Sequence, residues 1–86
     1  MPIKDLIEDM YVEMEYMERN VDTMSFEELS IMIKNFDFHY KTALDTHAYK
    51  WIDLQTKTAL TSVLVTAYTF KKRFDEKFMN IKVSLA

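Results

Sequence analysis

Apolar residues return every three or four positions from the start of the chain. Ile3, Leu6, Ile7, Met10, Met14, Met17 and Val21 gather on one side of a helical wheel, while Asp5, Glu8, Asp9, Glu13, Glu15 and Glu18 fall largely elsewhere. That spacing predicts an amphipathic helix over about residues 3–19, with an apolar stripe that must be buried against something. Residues 20–24 interrupt the pattern. Ser25 followed by Glu28 has the form of a capping box, so a second helix is expected from about residue 26. Its inward set is Leu29, Met32, Ile33, Phe36, Tyr40, Ala43, Leu44 and His47, close to heptad spacing, and neither glycine nor proline follows to stop it. An unbroken helix from there to Phe78 would exceed 50 residues and leave a small chain without compactness. A turn is therefore expected within residues 45–53, closing the second helix near 45, with Asp45 or Asp53 as N-cap of a third. The third helix is expected over about 51–78, and residues 81–86 as a short tail that frays or docks.

The third segment has two faces. Leu60, Val63, Leu64, Ala67, Phe70, Phe74 and Phe78 form one broad apolar face, and Leu54, Thr58, Thr61, Val65, Tyr68 and Thr69 form another. From Thr58 to Phe70 no residue is charged. Threonine, valine, tyrosine and phenylalanine also favour strands, but strict alternation is missing and no partner strand of comparable sequence exists. A helix uncharged nearly all round needs neighbours on all sides, and two short partners hardly supply them. Self-association would. The expected fold is thus all-α: one domain, a short N-terminal helix followed by a long antiparallel helical hairpin, assembled as a helical homo-oligomer.

Composition narrows this further. Eighty-six residues make one domain with a modest core. Glycine is absent and Pro2 is the only proline, which disfavours tight primed hairpin turns and excludes P-loops, dinucleotide fingerprints and nucleophile elbows. No enzyme activity is expected. No cysteine is present, so disulfides and thiolate metal sites are excluded. No apolar leader follows Met1, and the uncharged run is too short to span a bilayer, so a cytoplasmic location and no membrane partner are expected. Residues 1–40 carry three basic and ten acidic side chains, net −7, against eight and four in residues 41–86, net +4. Such a dipole favours contact between the two halves, within or between copies, and the acidic half argues against duplex DNA.

Candidate chemistry is sparse. His39 and His47 lack the i, i+3 or i+4 partners that a metal site on a helix needs, so no metal and no cofactor are expected. Glu13, Glu15 and Glu18 are expected on the solvated side of the first helix. The methionines at 10, 14, 17, 24 and 32 suit a core or an oligomer interface more than a promiscuous groove. Lys71, Lys72, Arg73 and Lys77 form the one compact basic cluster, beside Tyr68, Phe70 and Phe74. Cations next to aromatics bind phosphates and stack bases; cations late in a helix also complement its dipole and can pair with the acidic first helix.

The helix order and length, with Asp53, Leu54, Ser62, Val63 and Leu64 in the last helix, resemble the anti-CBASS type 2 phage proteins. These are small all-helical oligomers that sequester cyclic oligonucleotide signals without cleaving them. The resemblance implies a phage counter-defence protein acting in the host cytoplasm, with Tyr11 stacking on a base and hydroxyls of the loop, Thr23 and Ser25, near phosphates. The loop carries no lysine, so the cation must come from Lys71, Lys72 or Arg73. The alternative is a small inhibitor or adaptor whose acidic, methionine-striped first helix docks on a host protein.

Overall fold

The computed structural model describes the backbone of residues 2–85 and the side chains of residues 2–76. Among the described residues there are three helices and no strand: α1 (Ile3–Asn20), α2 (Phe26–His47) and α3 (Leu54–Leu85). α1 starts directly after Pro2, whose fixed extended backbone places its carbonyl to accept from the Leu6 N–H at 3.0 Å. Asp5 in the first turn and Arg19 in the last both complement the helix dipole. The Asn20 carbonyl then accepts from the backbone of Thr23 and Met24 and from the Thr23 hydroxyl, and the chain turns. Ser25 caps α2, its Oγ accepting from the Glu28 N–H at 3.1 Å. Among the described residues none adopts positive φ, so both connections are built from right-handed and extended backbone, in keeping with a chain without glycine.

α2 ends at His47, and residues 48–53 carry the chain round through hydrogen bonds from Ala48 to Leu44, Tyr49 to Thr46 and Ile52 to Tyr49. Asp53 caps α3: its carboxylate accepts from the Thr56 N–H at 3.1 Å and from the Thr56 hydroxyl at 2.6 Å. These bonds to the charged form hold its carboxyl below the ordinary carboxylate range. Asp45, the other cap considered, lies inside α2. Two boundaries differ from the sequence reading. Trp51 stays in the turn, because the cap at Asp53 fixes where α3 begins. The tail expected from Ile81 is helical through Leu85, because nothing after Asp53 breaks a helix; Ala86 lies outside the described residues.

The core is a single cluster drawn from all three helices. Leu6, Met10, Met14 and Met17 of α1 and Leu29, Phe36 and Ala43 of α2 close on Leu60, Val63, Leu64, Ala67, Phe70 and Phe74 of α3. Among the described residues every buried side chain is apolar. Phe70 is the hinge of the packing: it meets Phe36 edge-on at 5.5 Å and stacks with Phe74 at 5.3 Å. At the perimeter, Glu13 of α1 accepts from His39 Nδ1 of α2 at 2.7 Å, and Asp37 of α2 pairs with Lys71 of α3 at 2.6 Å. The second face of α3, with Leu54, Thr58, Val65, Tyr68 and Thr69, is exposed in the single chain. So is Trp51, at 73 %, with the Lys50 ammonium 5.1 Å from its ring centre. Among the described residues no helix is long and apolar enough to cross a membrane.

Phe70→Ala removes side-chain contacts from a packed site and is expected to lower unfolding free energy by about 3–5 kcal/mol in denaturant titration. Tyr68→Ala, two residues away on the exposed side, should stay within about 0.5 kcal/mol of the parent. Asp53→Ala should lower the melting temperature near neutral pH. Because the folded-state pKa of Asp53 is depressed, its contribution is present above the ordinary carboxylate pKa of 3.8 and fades as pH falls through the lower folded value, so the two melting curves should converge in acid.

Candidate binding surface

The basic cluster of α3 is divided by the helix that carries it. Consecutive residues point about 100° apart, so Lys71 faces α2 and Arg73 faces α1. Lys71 pairs with Asp37 and lies 4.7 Å over the ring of Tyr40. Arg73 lines a depression of about 200 Å³ with Glu18 of α1, over the rings of Phe70 and Phe74. Lys72 stands between them and, like Arg73, is exposed, with no ion pair to either among the described residues. Of the three described cations, Lys71 is paired with α2, Arg73 lies beside Glu18 of the first helix, and Lys72 lies between them. Lys77 lies outside the described side chains.

Around Lys72 the surface is shaped. Tyr40 of α2 and Tyr68, Lys71, Lys72 and Asp75 of α3 line an open groove of about 430 Å³. Tyr68 is 64 % exposed. Lys71 spans the seam between the helices, held at Asp37 and over Tyr40, so the floor of the groove is fixed while Lys72 and Tyr68 remain free to meet a ligand. Asp75 adds a carboxylate at the rim. Tyr68 and the lysines lie three and four residues apart on one helix and were legible as neighbours. The part played by Tyr40 was not, because its heptad position marks it as core; it reaches the groove only through the α2–α3 packing.

The other expected site residues lie elsewhere. Tyr11 is on the outer side of α1, 41 % exposed, and the structure records no hydrogen bond from it. The Thr23 hydroxyl is committed to the Asn20 carbonyl and the Ser25 hydroxyl to the α2 cap. Among the described residues no hydrogen bond or ion pair joins any two of Tyr11, Thr23, Ser25, Lys71, Lys72 and Arg73.

The threonine row of α3 resolves in an unexpected way. Thr58, Thr61, Thr66 and Thr69 each donate to the carbonyl four residues earlier, at 2.8–3.2 Å. Thr61 also meets His47 Nε2 at 2.8 Å, and since its own proton goes to Lys57, the histidine is the donor in that pair. A histidine donating to a hydroxyl does not activate it as a nucleophile. No group of three His, Asp or Glu side chains able to hold a metal ion occurs among the described residues. Compared with family models, with curated proteins and with solved structures, the chain matches none.

Removing Glu13 tests how tightly α1 is tied to α2. Both members of the Glu13–His39 pair are about 15 % exposed, so Glu13→Ala leaves a half-buried imidazole without its partner and is expected to cost about 1–3 kcal/mol in chemical denaturation. The exposed Glu15–Arg19 pair should cost under about 1 kcal/mol when Glu15 is replaced by alanine.

Proposed function

We propose that this chain is a non-catalytic binding protein that captures a cyclic oligonucleotide signal stoichiometrically, in the manner of the anti-CBASS sponges it resembles. In this reading it acts as a self-associated all-helical oligomer in the cytoplasm of a phage-infected cell. The observation that carries the reading is the groove of Tyr40, Tyr68, Lys71 and Lys72, which combines an exposed aromatic face for a base with a free ammonium for a phosphate. Lys71, already neutralised by Asp37, serves as a positioning residue, and Lys72 is the cation left for the ligand. The partners Asp37–Lys71 and His47–Thr61 step in opposite directions along α2 and α3, which supports the antiparallel hairpin that such sponges use. Tyr11 then belongs to a second contact, reached from a neighbouring copy.

A protein-directed inhibitor is the competing reading, and the burial of α1 reshapes it. Met10, Met14 and Met17 are spent on the chain's own core. A host protein would have to be met by Tyr11, Val12 and Tyr16, which are exposed beside Glu8 and Glu15. Calorimetric titration with a cyclic dinucleotide and a cyclic trinucleotide separates the two. Capture predicts saturable binding that weakens roughly ten-fold or more in Tyr68→Ala and in Lys72→Ala, the loss expected for one stacking or phosphate contact. Binding unchanged in both variants but lost in Tyr11→Ala would move the site to α1. Absence of binding to either nucleotide would remove the reading altogether.

A further inference from the structure

The exposed side of α3 carries a seam. Gln55, Thr58, Ser62, Val65, Thr69 and Lys72 follow one another at steps of three, four, three, four and three, the heptad spacing of a coiled-coil contact line, and all six are exposed in the single chain. A heptad seam on the outside of a folded chain is unaccounted for by the core, which uses the opposite stripe of the same helix. We infer that this seam packs against the same seam of a second copy, antiparallel, about a two-fold axis midway between Val63 and Leu64. The inference rests on the self-association part of the proposed function and is independent of its ligand.

Three observations choose that occupant and that direction. First, the row is self-complementary. In an antiparallel pair about this axis, Ser62 faces Val65 of the second copy and Thr58 faces its Thr69, so small side chains meet throughout and the helices can approach at the short end of the 8–10 Å interaxial range. Flanking positions agree: Thr61 lies beside Tyr68 of the second copy, and Ala59 beside its Thr66. Second, the row can be dehydrated. The Thr58, Thr61, Thr66 and Thr69 hydroxyls already bond to their own helix, so closing the face strands none of those donors, and their methyl groups join Val65, itself 61 % exposed. Third, charge sets the direction. A parallel pair in register would stack Lys72 on Lys72 and, one step on, Glu76 on Glu76, whereas the antiparallel pair sets Lys72 against Gln55 and places no like charges opposite each other. An open groove of about 440 Å³ lined by Thr58, Thr61, Ser62, Val65 and Thr66 lies at the centre of the row, where the second helix would seat.

The chain has no cysteine, so single introduced thiols report cleanly. Thr58→Cys and Thr69→Cys variants, each checked by circular dichroism for unchanged helix content, are oxidised separately and as an equimolar mixture. The antiparallel seam predicts a disulfide-linked dimer in the mixture, several-fold above either variant alone, because equal positions would lie about 17 Å apart along the axis. Val65→Glu should convert the wild-type oligomer to a smaller species in sedimentation velocity with its helix content kept. Cross-linking of Thr58→Cys with itself would overturn the proposal in favour of a parallel pair. An oligomer that survives Val65→Glu with no mixed disulfide would place the contact on another face, and a wild-type chain monomeric at all concentrations would end the proposal. Nucleotide titration of the same samples is read separately: cross-linking without nucleotide binding removes the ligand and leaves the interface, and the reverse removes the interface and leaves the ligand.

Discussion

The three helices are held by one shared apolar cluster, to which α3 contributes its stripe from Leu60 to Phe74. α1 and α2 pack on each other as well as on this stripe, so all three helices share one cluster, and Phe70 joins α3 to α2 through Phe36. A chain this short has room for one such cluster, and the cluster here contains no buried polar group among the described residues. Position along the helices is then specified at the margin, by Glu13 with His39 and by Asp37 with Lys71. Apolar packing supplies the driving force, and the two perimeter pairs choose among the ways the helices might slide.

Much of this was readable in the residues. The methionine stripe of α1 and the alternation of threes and fours in α2 announce amphipathic helices because each has one face in water. Ser25 announces a helix start because a serine oxygen meets an otherwise unpaired N–H. The end of α2 was not readable in the same way. Its stop depends on the chain turning through Ala48 to Asp53 without a glycine, a turn made by backbone bonds that many sequences could make. The candidate surface was half legible. Tyr68 and Lys72 share a helix face and so share a sequence signature, whereas Tyr40 enters from α2 and Lys71 is claimed by Asp37, facts that exist only once two helices are side by side.

α3 therefore has two unlike sides with two unlike fates. One is apolar, interdigitated and closed. The other is uncharged from Thr58 to Thr69 but built of residues that hold their hydroxyl groups inward against the helix backbone, which makes a nominally polar row behave as a surface of methyl groups. The groove at Tyr68 borders that row and shares Lys72 with it.

The single tryptophan sits in the α2–α3 turn, well away from the buried stripe, with a lysine ammonium over its ring. Its emission is therefore that of a water-exposed indole before the chain unfolds as well as after. Intrinsic fluorescence, the usual optical reporter for a small helical protein, is almost blind to the core here and instead watches the turn, responding to whatever comes to rest against it.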